Sequence, residues 1–180
     1  MRIISGKWGG RKIHPPTNMP FTRPTTDIAK EGLFNILQNR MNFEGTNTLD
    51  LFGGTGCISY ELGSRGAAHL TIVEKDPIMH NFIAKNAAIL GMEDITLLKM
   101  DVFSFLDSCT QSFDFIFAGP PYALGSIDEL PKKIVAQQLI APGGFFVLEH
   151  TPRNAYEKFP CFSFVRNYGT TVFSFFTNEN

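Results

Sequence analysis

A mostly parallel β-sheet covered by helices on both faces is the fold class the sequence predicts, and three observations predict it. Strand-like and helix-like segments alternate through the middle of the chain. The strand segments are continuous apolar runs, and the rhythm breaks only near the C-terminal end, where two apolar segments flank a turn. Continuous apolar runs are the mark of strands buried on both faces, and parallel neighbours need a crossover, usually a helix.

Residues 1–24 carry Gly6, Gly9, Gly10, Pro15, Pro16, Pro20 and Pro24, punctuation that rules out a long helix and suits a short hairpin or extended arm. Thr25-Thr26-Asp27 forms a helix start, and Ile28, Leu33, Phe34, Ile36 and Leu37 follow at helical spacing, predicting a helix over 27–40. Strands are then expected at 48–52, 70–74, 95–100, 113–118 and 145–149, with helices at 56–64, 77–90, 103–109 and 127–139. Residues 162–165 and 172–176, around Asn167-Tyr168-Gly169, predict a terminal antiparallel hairpin. With no repeat or linker, residues 1–180 read as one domain: an arm over 1–24, a leading helix over 25–40 and a core over 46–180.

Composition narrows the function. At 43% hydrophobic and 18% charged residues the chain is an ordinary globule, not a disordered one. The first residues lack the apolar stretch of a signal peptide, and no apolar run approaches the roughly 18 residues of a membrane span, so a cytoplasmic protein is expected. Cys57, Cys109 and Cys161 are odd in number and far apart, which predicts free thiols. His14, His69, His80 and His150 show no metal spacing, and no metal is expected. The net charge of −1 hides an asymmetry. Residues 1–40 hold Arg2, Lys7, Arg11, Lys12, Arg23, Lys30 and Arg40 against Asp27 and Glu31, a balance of +5, leaving −6 for the remainder. A basic arm on an acidic body suits a polyanion, although a solvated terminus would carry the same charge.

In an open α/β sheet, ligands bind beyond the carboxyl ends of the strands. The first strand ends Asp50-Leu51-Phe52-Gly53-Gly54-Thr55-Gly56, whose glycines permit a tight turn against a ligand. Ser59 stands where a dinucleotide fingerprint would have its third glycine, which favours a donor without a pyrophosphate, such as S-adenosylmethionine. Asp50 suits the donor's cationic amine; its alternative is to bond the loop's own amides. Glu74, about twenty residues past the glycines, can accept ribose hydroxyls, with Lys75 beside it, while Asp76-Pro77 reads as a helix cap. Asp101-Val102 ends the third strand, where a carboxylate can accept from an adenine amine. The fourth ends Gly119-Pro120-Pro121-Tyr122, a rigid bend with an aromatic ring that can hold a flat base.

Together with Arg2–Gly6, Gly10-Arg11-Lys12, Arg23-Pro24-Thr25-Thr26-Asp27, Glu31, Leu33-Phe34-Asn35, Ser64–Ala67, Asn86 and Tyr168-Gly169, these motifs run essentially end to end. On them the chain resembles the RsmD family of bacterial 16S ribosomal RNA guanine-N2 methyltransferases. The resemblance implies a Rossmann-like class I methyltransferase fold with a seven-stranded sheet. It also implies S-adenosylmethionine held by Asp50, Phe52, Gly53, Gly54, Gly56, Glu74, Lys75, Asp101 and Val102. The base turn Gly119–Tyr122 is then the catalytic segment. Arg11, Lys12, Arg23, Thr25 and Asp27 are the candidate contacts to 16S rRNA, within a small-subunit assembly intermediate and without an obligate protein partner.

One departure stands out. The family pattern has Asp or Asn where this chain has Gly119. An aryl amine is a weak nucleophile, and losing one catalytic hydrogen-bond group costs about 100- to 1000-fold in rate. Weakened transfer with donor binding intact is therefore expected, unless another carboxylate, for which Asp27 is a candidate, takes the place. Two other readings remain open: a DNA adenine or cytosine amino methyltransferase, and a protein that keeps donor and RNA contacts without catalysis.

Overall fold

The computed structural model describes residues 1–19 and 24–179. Seven strands form one sheet: β1 (Asn47–Leu51), β2 (His69–Val73), β3 (Ile95–Leu98), β4 (Phe113–Ala118), β5 (Ile140–His150), β6 (Phe162–Tyr168) and β7 (Thr171–Thr177). Among the described residues five helices accompany them: α1 (Asp27–Gln38), α2 (Cys57–Ser64), α3 (Pro77–Leu90), α4 (Val102–Ser108) and α5 (Glu129–Ala136). The strand order is β3-β2-β1-β4-β5-β7-β6, parallel from β3 to β5, with β7 antiparallel to both its neighbours. The α/β class, the parallel core and the C-terminal hairpin are as expected. That hairpin turns on Gly169-Thr170, one step later than expected, with Gly169 at φ 65°. A positive φ at the first position of a two-residue loop is easy only for glycine.

Side chains alternate across the sheet and feed two apolar layers. Leu49, Leu51, Ile116, Ala118, Phe146 and Leu148 pack with Leu106 of α4 and Ile134 of α5 on one face. Phe115, Phe117, Val147, Phe173 and Phe175 pack with Phe34 of α1 and Ile58 and Leu62 of α2 on the other. Burying each such side chain stabilises by roughly 1.5–3 kcal/mol, so these layers fix strand register. Helix ends obey local chemistry. Thr26, Asp76 and Asp101 accept from the backbone N–H of Ala29, Met79 and Ser104, each cap replacing one unsatisfied donor.

Three elements depart from expectation. Ile28 is 77% exposed, because the buried stripe of α1 runs through Ala29, Leu33, Phe34 and Leu37; five residues from Leu33, it lies about 140° round the helix. β5 begins at Ile140, before Pro142-Gly143-Gly144, and α5 is correspondingly shorter than 127–139. A Cβ on Gly144 would stand 2.8 Å from the Asp114 carbonyl oxygen, so the backbones approach closely enough there to require glycine.

Residues 1–13 form a small hairpin docked on α2. Ile3 N–H donates to the Arg11 carbonyl at 2.9 Å and Ile13 N–H to that of Met1 at 2.9 Å. Ile3 and Ile13 are buried with Tyr60 and Leu90. Among the described residues no helix is long and apolar enough to cross a membrane.

Candidate active site

The strand order places β1 between β2, reached through α2, and β4, reached by crossing back over the sheet. That reversal opens a crevice at the carboxyl ends. A cavity of about 310 Å³ lies there, at the lower end of the range for small-molecule sites. Of the residues expected to hold the donor, Phe52, Glu74, Lys75, Asp101 and Val102 line it, and so do all four residues of the base turn, Gly119, Pro120, Pro121 and Tyr122. Asp50, Gly53, Gly54 and Gly56 do not.

The reasons lie in the backbone. Gly54 and Gly56 have φ of 57° and 82°, so the fold itself requires them. The Tyr60 ring fills the space beside Gly56, where a Cβ would meet its Cζ at 2.6 Å. At Gly53 a Cβ would meet Ile72 Cγ2 at 2.7 Å. The loop therefore packs tightly on protein, and Phe52, itself at φ 62°, faces the cavity instead. A left-handed non-glycine residue stores about 1–3 kcal/mol of strain.

Alternation along β1 sends Leu49 and Leu51 to one face and Asp50 to the other, beneath α2. Its carboxylate is 2% exposed and accepts from the Ser59 hydroxyl at 2.7 Å. Burial pushes its pKa up to about 7, with Glu74 adding to the rise and Ser59 opposing it. The native state therefore holds this proton over a range where the unfolded chain has released it. Its contribution to stability is full below about pH 4 and is lost as pH rises toward about 7. Asp50→Asn is expected to stabilise the donor-free protein at pH 8 by on the order of a few kcal/mol, and much less at pH 5. Urea unfolding at both values checks this; equal gains at the two would defeat the assignment.

Glu74 follows β2. Its Oε1 accepts from Gly54 N–H at 2.8 Å and its Oε2 from Asp76 N–H at 2.9 Å. An ionised carboxylate has about four acceptor sites, so two remain for ribose hydroxyls. Asp101 uses Oδ2 for its cap at 3.1 Å, and Oδ1 can accept from an amine. Val73, Met100, Phe103 and Leu124 also line the cavity and were missed, and Asp76 is both the expected helix cap and part of the lining. A search of strand ends for polar groups passes over the apolar residues beside each acid, which would flank a purine. Apolar walls with carboxylates at one end suit an adenosine bearing a cationic group, so the donor set fits S-adenosylmethionine.

At the other end Tyr122 donates to Glu149 Oε2 at 3.0 Å, and the Thr25 hydroxyl donates to Glu149 Oε1 at 2.5 Å. Thr25 thus stands next to the base turn. Asp27 is exposed on the first turn of α1 and does not line the cavity; starting a helix, it turns to solvent, and the carboxylate beside the base turn is Glu149. Arg11 and Lys12 are exposed on the docked hairpin, also outside the cavity lining, and Arg23 lies outside the described residues. His150 is buried against Tyr156, its Nε2 2.7 Å from Ser174 Oγ, with burial lowering its pKa; it is an ordinary strand-end residue. Cys57, Cys109 and Cys161 are free, and burial raises the Cys57 thiol to about 11.

Similarity to known proteins agrees with this geometry. Residues 1–177 match the family described as Conserved hypothetical protein 95. Ribosomal RNA small subunit methyltransferase D of Escherichia coli is 31% identical over 160 residues, covering 89% of this chain and 79% of that protein. Its Haemophilus influenzae namesake is 30% identical over 153 residues, covering 83% and 78%. A solved hypothetical protein of Thermus thermophilus superposes with a TM-score of 0.85 at 27% identity, over 98% of this chain and 99% of that one. The T. thermophilus 16S rRNA N2 G1207 methyltransferase RsmC, solved with AdoMet and guanosine, has a TM-score of 0.69 at 26% identity, over 88% of this chain and 45% of that one. With the match running nearly end to end and the strand-end residues gathered at one cavity, the chain belongs to the RsmD family of S-adenosylmethionine-dependent rRNA methyltransferases.

Proposed function

We propose that this protein methylates the exocyclic N2 amine of a guanine in 16S rRNA. The observation that carries the reading is one cavity with Glu74 and Asp101 at one end and Gly119–Tyr122 at the other. The likeness to RsmC, an N2 G1207 methyltransferase solved with guanosine, supports guanine over other bases.

When bound, S-adenosylmethionine supplies an electrophilic sulfonium methyl. The protein's part is placement. Glu74 and Asp101 would hold ribose and adenine, while Phe52, Met100 and Val102, which line the same cavity, would exclude water from the purine. Asp50, buried behind the loop and bonded to Ser59, would add negative potential for the amine once its carboxyl is ionised, from about pH 7 upward. Pro120 and Pro121 fix the backbone so that carbonyls at 119 and 120 accept from the target amine, and the Tyr122 ring supports the base. In-line placement of this kind supplies much of such a reaction's acceleration. A target inside a helix must be unstacked first, so a loop of an assembly intermediate in the cytoplasm is the preferred substrate.

Labelled donor incubated with 16S rRNA, small-subunit particles and duplex DNA tests the reading. Label is expected in guanine N2 of the RNA. Label in DNA would favour an adenine or cytosine amino methyltransferase, and donor and RNA binding without label would favour a binding protein. Arg11→Ala and Lys12→Ala are expected to weaken RNA binding and lower the salt slope by about one unit for each phosphate left without its cation. An unchanged slope would remove these residues from the RNA interface.

A further inference from the structure

Glu149 belongs to neither the donor set nor the base turn. The register Ala118↔Leu148 places Gly119 and Glu149 side by side where β4 and β5 end. Glu149 is 4% exposed, and a buried carboxylate is expensive unless well hydrogen-bonded. Two of its bonds join separate segments: Tyr122 of the base turn at 3.0 Å, and Thr25, which precedes α1, at 2.5 Å. The Tyr122 hydroxyl also lies 3.3 Å from Thr171 Oγ1 of β7. Charge-assisted bonds are the stronger class, and a phenol anchored at its tip has little freedom left in the plane of its ring.

We propose that Glu149 is a positioning residue for methyl transfer. Through Tyr122 it fixes the ring that supports the target base, and through Thr25 it ties that ring to the segment leading into α1. The inference rests on the reading of Tyr122 as the base support.

Single-turnover methylation of small-subunit particles, with donor affinity measured alongside, tests it. Glu149→Ala and Tyr122→Phe are each expected to lower the transfer rate about 10- to 100-fold, as misplacement of a reacting group does, with donor affinity within about twofold. The double variant should be slower than Glu149→Ala alone by clearly less than the Tyr122→Phe factor, because the two changes share the Glu149–Tyr122 bond. Glu149→Gln, whose amide oxygen still accepts from the phenol, should restore most of the rate. If Glu149→Ala fails to fold, Tyr122→Phe and Glu149→Gln carry the test. A normal rate for Tyr122→Phe, multiplying losses in the double variant, or a Gln variant as slow as Ala would each overturn the inference. Tyr122→Ala separates the two readings: full activity there removes the base support itself, whereas a loss there with normal Tyr122→Phe removes only the part given to Glu149.

Discussion

Gly119→Asp is expected to raise the single-turnover rate by up to about 100- to 1000-fold, the weight of one catalytic hydrogen-bond group. The backbone at Gly119 does not have positive φ, so an aspartate can adopt it without strain. Its Cβ would meet Phe117 Cε1 at 3.0 Å, which requires the buried ring to move by a few tenths of an ångström. The melting temperature should therefore fall, at a cost of about 1–3 kcal/mol, as with other small-to-large changes in packed cores. The new side chain would project on the face that carries Phe117, next to Glu149 in the sheet. Two neighbouring carboxylates raise one another's pKa, and only the ionised form accepts the amine's proton. The gain should thus be largest at alkaline pH and fade as pH falls through the raised value. Rates measured from about pH 6 to about pH 9, beside the ordinary carboxylate value of about 4, would show the slope. A rate unchanged or lower at every pH, with donor affinity intact, would mean that the backbone carbonyls already do all that position 119 can do.

The sequence displayed the sheet because its signals are local. Phe113–Ala118 is apolar throughout but for Asp114, and Asp76 and Asp101 mark helix starts by a bond made three residues away. The cavity was legible for a related reason: parallel strands deliver their carboxyl ends to one edge, so Glu74, Asp101 and Tyr122 meet although they are far apart in sequence. What escaped depends on distant partners. Pro142-Gly143-Gly144 has the composition of a turn, and only the approach of the Asp114 carbonyl explains why it sits in a strand. Gly53, Gly54 and Gly56 suggest a ligand at close quarters, whereas their neighbours are Ile72, Tyr60 and the turn itself. Glu149 and Glu61 look like surface charges until segments over 50 residues away come to cover them.

Glu61→Ala is expected to lower stability by about 3–5 kcal/mol, the usual loss when one member of a buried ion pair is removed. Glu61 is fully buried in α2. Its Oε1 accepts from Ile4 N–H at 2.8 Å and stands 3.3 Å from Lys30 Nζ; its Oε2 accepts from Ser5 N–H at 3.1 Å and from Arg65 Nε at 2.8 Å. Lys30 is itself 2% exposed and donates to the Arg2 carbonyl at 2.7 Å. Without Glu61 the structure must keep an uncompensated ammonium and two orphaned amides away from water, or release the hairpin that creates the burial. A domain has only about 5–15 kcal/mol in total, so release is the cheaper course. Urea unfolding should show the lost stability, and limited trypsin digestion should show faster cleavage at Lys7, Arg11 and Lys12. Glu61→Gln keeps the shape and one acceptor oxygen and should fall between wild type and Ala. RNA binding should lose salt dependence in the same order, since Arg11 and Lys12 are presented by that hairpin. A loss under about 1 kcal/mol for Glu61→Ala, the range of an exposed pair, with trypsin resistance unchanged, would show that Ile3, Ile13 and Ser64, whose hydroxyl accepts from Trp8 N–H and donates to the Ser5 carbonyl, hold the hairpin without it.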